Sequence, residues 1–299
     1  MVPILWIKEN KKVKCKLCLH KCSLKEGEEG ICKVRFVKNG NLVLKNFMQI
    51  NYEEKDIEDV NIFHLFPFSK TLEIFGKGNN LDAKFFEVKN VEKIDLENFT
   101  SSIPQNIKTI TFSFEETLMY IETAYRLAKI FFRKGLKNVF TTNAYFPANL
   151  TKAISKYFEV GRIIVYNSLD KKFYSFLKAE KIEEIMKTIT YLHRQLKHIE
   201  VINFVDRKND IRSFSEFLVS LSSEIPLHIV SKNLEFDEIR RIVEEAEKSG
   251  LRYVYSRDIF KIDTKCYNCN FILIDRINKV INVTNNRCPN CGVKLNIIF

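Results

Sequence analysis

Between about residue 70 and residue 255 the chain alternates short apolar, β-branched runs with longer stretches in which apolar residues recur every three or four positions. The short runs predict strands at Thr71–Phe75, Lys108–Phe114, Lys137–Thr141, Arg162–Tyr166, His198–Phe204, Leu227–Val230 and Leu251–Tyr255. The longer stretches predict helices at Thr117–Lys134, Leu150–Tyr157, Ile182–Leu196, Ser213–Ser222 and Phe236–Ser249. In the first of these, Leu118, Ile121, Ala124, Tyr125, Ala128 and Phe132 fall on one face. Gly135 and Gly250 stand just past two of the helices, where a C-terminal cap belongs. Strands and helices in regular succession predict an α/β fold, a parallel sheet or barrel with helices outside.

The succession stops at both ends, and all eight cysteines lie there. Cys266-Tyr-Asn-Cys269 and Cys288-Pro-Asn-Cys291 are two C-x-x-C knuckles, each able to aim two sulfurs at one ion. The apolar runs between them, Phe271–Arg276 and Lys279–Val283, read as two short strands. The tail is therefore expected to be a zinc ribbon, a structural staple for a segment too small to fold alone. At the other end, Cys15, Cys18, Cys22 and Cys32 form C-x2-C-x3-C-x9-C. Four sulfurs suffice for one tetrahedral site, with zinc as the expected metal and an iron–sulfur cluster as the alternative. His20 between them reads as a neighbour of that site and not a ligand.

Composition adds two constraints. The chain has 299 residues and a formal charge of +11. The excess sits at the ends: ten basic against four acidic residues over 1–40, and six against two over 261–299. Lysines beside thiolate sites compensate the charge of the bound metal centre. The sharper alternative is a nucleic-acid footprint. No apolar run is long enough to span a membrane, and Met1–Trp6 lacks the marks of a signal peptide. A cytoplasmic protein with no membrane partner is expected. By motif, the chain divides into an N-terminal four-cysteine metal-binding module (1–60), a strand–helix core (61–260) and a C-terminal zinc ribbon (261–299). Candidate polar residues at predicted strand ends are Glu116 and Asn143, while His64 and His228 read as satisfied core histidines.

The order of these motifs resembles the radical SAM member of the AmmeMemoRadiSam trio, relatives of pyruvate-formate-lyase-activating enzyme. The resemblance runs over nearly the whole chain. It is carried by the opening Cys15–Arg35 signature, by Phe63-His64-Leu-Phe-Pro67, and by Gly135-Leu-Lys-Asn-Val-Phe-Thr-Thr-Asn143. Phe173-Tyr174, Ile225-Pro226-Leu-His228, Gly250-Leu-Arg-Tyr-Val254 and the ribbon follow in order. It implies a partial (β/α)6 radical-SAM-like barrel for the core. The family's chemistry needs a C-x3-C-x2-C loop after the first barrel strand, whose three thiolates hold a [4Fe–4S] cluster that binds S-adenosylmethionine. Here the three positions read Asn79, Ala83 and Phe86. Alanine and phenylalanine offer iron no donor, and an amide is a poor one. Glu116 survives from a family polar segment, whereas the segments at Val165-Tyr166-Asn167 and Asp206-Arg207-Lys208 have drifted. The N-terminal cysteines have the reverse spacing and a complete set of four, so they do not replace the loop.

The sequence therefore predicts a degenerate, catalytically inactive radical SAM-like protein. It would hold two structural zinc ions, lack the [4Fe–4S] cluster and S-adenosylmethionine, and act as a binding or scaffold protein. Glu116 and Asn143 would be vestiges of a cofactor-binding face. The resemblance suggests AMMECR1-like or Memo-like protein partners. The alternatives are a zinc-dependent RNA- or ribosome-associated protein, and a still-active radical SAM enzyme with its cluster ligated elsewhere.

Overall fold

The computed structural model of the chain describes residues 3–82, 90–113, 116–206 and 210–299. Seven strands of the core follow the apolar runs: β1 (Lys70–Phe75), β2 (Ile107–Ser113), β3 (Lys137–Thr142), β4 (Val160–Tyr166), β5 (His198–Phe204), β6 (Leu227–Val230) and β7 (Val254–Tyr255). Nearly every residue of β1 to β5 is buried on whichever face it points to. Burial on both faces is why the runs read as continuous and not alternating, as in parallel sheets covered by helices. The four longer helices are α1 (Ile121–Arg133), α2 (Ile182–Gln195), α3 (Ile211–Leu221) and α4 (Phe236–Lys248). The fold is mixed α/β with a large, mostly parallel sheet.

By contact the chain forms two compact units. The first comprises Met1–Lys55, Lys70–Ile163 and Lys171–His198, and the second comprises Asp56–Ser69, Ile164–Asp170 and Ile199–Phe299. In the first unit β1, β2, β3 and the start of β4 are parallel neighbours in that order, with Phe75 opposite Ser113, Val139 opposite Thr111 and Thr142 opposite Ile163. The strand Gln49–Asp56 borders β1 and pairs antiparallel with Glu92–Lys93. The amino-terminal cysteines sit among two small antiparallel sheets. One is formed by Trp6–Glu9, Lys12–Cys15 and Ser23–Leu24, the other by Arg35–Lys38 and Asn41–Leu44.

Two expected helices change on folding. The first begins as a 3-10 turn at Thr117–Tyr120 before α1 starts, and its buried face is Ile121, Ala124, Leu127, Ala128 and Phe131. Phe132, expected on that face, is 42% exposed. The 3-10 turn winds more tightly than an α-helix, so it shifts the phase of everything after it. The second, expected over 150–157, is helical only at Thr151–Ile154. Asn138 ends it: its buried side-chain amide donates to Tyr157 O (2.8 Å) and its carbonyl accepts from Glu159 N (3.1 Å), drawing the chain into β4.

In the second unit β5, β6 and β7 are parallel, with Val201 opposite Leu227 and Leu227 opposite Val254. The ribbon is a three-stranded antiparallel sheet of Thr264–Lys265, Ile272–Asp275 and Val280–Ile281. Its core, formed by Cys266, Leu273, Ile274, Cys288, Leu295 and Ile297, packs on Phe68. Backbone bonds from Phe66 N to Ile298 O (2.6 Å) and from Ile298 N to His64 O (2.9 Å) fix the chain's end beside the segment 64–68. Among the described residues no helix is long and apolar enough to cross a membrane.

Candidate metal centres and the filled strand ends

The carboxy-terminal knuckles bring four sulfurs together. The Sγ atoms of Cys266, Cys269, Cys288 and Cys291 all lie within 4.8 Å of one another, with Cys266 to Cys291 and Cys269 to Cys288 each at 3.6 Å. A tetrahedral zinc–thiolate centre with bonds of about 2.3 Å requires sulfur–sulfur spacings of roughly 3.8 Å. Four soft donors at this spacing fit a metal such as zinc. The local electrostatics divide the set. Burial pushes Cys266 up to about 12. A hydrogen bond from the Asn268 side chain, and then one from Val293 N, draw Cys291 down to about 6.

The amino-terminal cysteines are held differently. Cys15 N donates to Cys22 O (2.9 Å), and Lys21 N donates to Cys18 O (3.2 Å) in a tight turn. A Cβ at Gly30 would lie 3.6 Å from Cys32 Sγ and 3.7 Å from Cys22 Sγ, so both sulfurs face that residue. Burial, and behind it the proximity of Cys15, Cys32 and Cys22, raises the Cys18 thiol. Arg35, 1% exposed, places Nη1 3.8 Å from Cys15 Sγ and pairs with the buried carboxylate of Glu122. His20 is not aimed at the sulfurs through Nε2, which lies 2.6 Å from Asn80 O. Among the described residues, the close grouping within 4.8 Å is found for the ribbon cysteines.

Glu116 and Asn143 are brought together at the ends of β2 and β3, and both are buried. Glu116 accepts from Leu118 N (3.0 Å), Thr142 Oγ1 (2.8 Å) and Asn143 N (2.9 Å). Burial raises its carboxyl from 4.5 to about 7 despite these donors. Asn143 donates through Nδ2 to Asn80 Oδ1 (2.7 Å) and accepts through Oδ1 from Tyr145 N (2.9 Å). The two residues therefore have internal partners on every side described.

The loop after β1, where the resemblance would seat an iron–sulfur cluster, is closely packed. A Cβ at Gly76 would stand 2.1 Å from the Tyr120 ring, and one at Gly78 would stand 2.7 Å from Val34 Cγ1. Tyr120 donates to Ile74 O (3.0 Å) and Ser113 O (2.9 Å), bridging the ends of β1 and β2. Asn79 Oδ1 accepts from Leu81 N (2.8 Å), a local turn bond. Ala83 and Phe86 lie outside the described residues, as do Arg207 and Lys208.

Several groups here give no sequence signal of their own. Asn80 and Tyr120 look like loop and helix residues until the fold brings Asn80 against Asn143 and Tyr120 against the ends of β1 and β2. In the second unit Glu200, fully buried on β5, takes the backbone N–H groups of Phe63 (3.0 Å) and His64 (2.8 Å) and lies 2.7 Å from His228 Nε2. His64 Nε2 lies 2.7 Å from the Tyr255 hydroxyl, which lies 2.9 Å from Thr264 Oγ1. Arg276 donates to Thr264 Oγ1 and Phe63 O and stacks 4.0 Å from the Phe63 ring. Both histidines are buried within this network, and burial lowers the pKa of His228 against the opposing pull of Glu200.

The fold and the ribbon define an α/β protein with a four-cysteine group suited to metal. No family model matches the chain. It is 25% identical over 327 residues to the uncharacterized protein MJ0808 of Methanocaldococcus jannaschii, covering 97% of each chain. The two proteins are distant homologues along their whole length.

Proposed function

We propose that the chain is a degenerate radical SAM-like protein, a partial (β/α)6 barrel with a structural zinc at each end. It works by binding and scaffolding and not by radical chemistry. The observation that carries this reading is the filled ligand face. Glu116 and Asn143 commit their hydrogen bonds to Leu118, Thr142, Tyr145 and Asn80, and Tyr120 occupies the space over Gly76. A cofactor seated there would have to displace bonds already made in a buried setting, where each loss is costly. The sequence agrees, since Ala83 and Phe86 carry no iron donor. At the amino-terminal site the buried Arg35 beside Cys15 supplies a cation that balances thiolate charge. AMMECR1-like or Memo-like proteins are the partners this reading tests first.

Elemental analysis of anaerobically purified protein tests it. The expected result is about two zinc ions per chain, no iron after reconstitution with iron and sulfide, and no 5′-deoxyadenosine from S-adenosylmethionine. A reconstituted [4Fe–4S] cluster that cleaves S-adenosylmethionine would establish the active-enzyme alternative instead.

A second reading, association with RNA, has its own support in the basic excess at the two ends. Binding that weakens steeply with salt is its signature.

A further inference from the structure

We propose that the outer face of the amino-terminal module binds the phosphate backbone of RNA through its lysines, without reading the bases. The proposal rests on the second reading above and assigns the contact to one of the two basic ends, within the first unit.

Three observations carry it. The first is which charges are left free. Over residues 1–40, four acidic residues stand against ten basic ones. All four carboxylates are engaged. Glu9 pairs with Lys14 (3.4 Å) and Glu29 with Lys45 (2.5 Å). Glu26 accepts from Asn39 N (2.7 Å) and Gly40 N (2.8 Å), and Glu28 accepts from Lys25 N (2.8 Å). Of the ten cations, Lys14 is paired and Arg35 is buried against Glu122. The other eight are exposed lysines with no ion-pair partner among the described residues.

The second is where these lysines stand. In the sheet of Trp6–Glu9, Lys12–Cys15 and Ser23–Leu24, the residues Val13, Cys15 and Leu24 are buried. Side chains alternate along a strand, so Lys12, Lys14 and Ser23 point outward, with Glu9 opposite Lys12 and Ile7 opposite Lys14. Lys11 lies in the turn at one end of this face, Lys16 follows the strand at the other, and Lys25 follows Leu24. Neighbouring outward positions on such a sheet are about 5–7 Å apart, inside the Debye length of about 10 Å at 0.1 M salt. The lysines therefore repel one another. A polyanion laid across them relieves that repulsion and releases the counterions condensed on it.

The third is the chemistry of the free groups. The cation in contact with the cysteine site is the buried Arg35, 3.8 Å from Cys15 Sγ, and among the described residues no lysine side chain bonds to a cysteine sulfur. Arg35 is also the one arginine in residues 1–40, so this stretch has no exposed guanidinium to fork onto a base edge. Lysine meets phosphate as a point charge, which positions a strand without reading it. The apolar residue on the lysine face, Ile7, is half-buried. Binding in a membrane interface relies on projecting apolar side chains, so the face suits a phosphodiester backbone better than a lipid surface.

The test is fluorescence anisotropy of a labelled single-stranded RNA of mixed sequence with the full chain, measured over a range of salt concentrations. Each phosphate neutralised on a single strand contributes about −0.7 to the slope of log K against log salt. Lys11→Gln/Lys12→Gln/Lys25→Gln is expected to make the slope shallower by about 2 and to weaken binding about a hundredfold at about 0.1 M salt. Lys11→Arg/Lys12→Arg/Lys25→Arg keeps the charge and is expected to bind as the unaltered chain does. Lys265→Gln/Lys279→Gln/Lys294→Gln removes the same charge from the ribbon and is expected to leave the slope as it was. Equal losses in the two glutamine variants would overturn the face in favour of diffuse net charge. An unchanged slope in the first would overturn the face while leaving RNA association standing. Absence of saturable RNA binding by the unaltered chain would overturn both. Tighter binding to phosphatidylserine vesicles than to RNA, lost in the same variant, would overturn the proposal in favour of a membrane.

Discussion

Tyr120 lies flat against Gly76: a methyl group at position 76 would come within 2.1 Å of the ring, whose hydroxyl is bonded to Ile74 O and Ser113 O. The ring cannot swing aside without breaking both bonds, so position 76 accepts only glycine. The space beside the loop that follows β1 is thus filled by the chain's own side chain.

Gly76→Ala is expected to destabilise the protein by about 2–4 kcal/mol, through overpacking against a pinned ring. Tyr120→Leu should itself be destabilising, yet Gly76→Ala added to it should cost far less than alone. Chemical denaturation of the four proteins in a double-mutant cycle measures this coupling. Additive effects would show that the ring is free to move.

Glu116 makes stability depend on pH in a direction unusual for a carboxylate. Its folded-state pKa of about 7 lies above its ordinary 4.5, so the folded state holds the proton more tightly than the unfolded state. Stability should therefore fall as pH rises from about 4.5 through about 7, by roughly 3 kcal/mol. In Glu116→Gln that slope should vanish, leaving only a pH-independent offset. Melting curves of both proteins across this window check the sign.

Cys288→Ser should lower the zinc content from about two per chain to about one. Its effect should not stop at the knuckle, because the ribbon core includes Phe68, and Ile298 is bonded to His64 and Phe66. Hydrogen exchange is expected to rise over 264–298 and also over 64–66, while the strands β1 to β4 stay protected. Global unfolding would show that the ribbon carries more of the stability than its size suggests.

Glu200→Ala should cost about 3–5 kcal/mol. It strips a fully buried acceptor from Phe63 N, His64 N and His228 at once. Glu200→Gln, which keeps one oxygen, should be milder. Equal losses would mean that the site collapses around the missing charge.

The resemblance picked out Phe63-His64-Leu-Phe-Pro67 as a landmark without a reason, and the Glu200 carboxylate supplies one: it holds that segment by two backbone N–H groups. Asn79 likewise has a physical role as the acceptor of a local turn bond to Leu81. Helix phase was less legible. The face expected to carry Phe132 turned because a 3-10 segment precedes α1, and nothing in the apolar spacing marks that change of winding.

The order of strands and helices, the ribbon's ligand set and the charge at both ends were determined by the sequence alone. The order of elements and each C-x-x-C knuckle depend on residues a few positions apart, so that information is local. The tertiary structure decided which polar groups meet: Arg35 with Glu122, Asn80 with Asn143, Glu200 with His64, and Tyr253 with no partner. Such pairs are separated by tens of residues or more and are set by how distant elements pack. Many asparagines and glutamates have the same chemistry, and only burial determines which of them must find a partner.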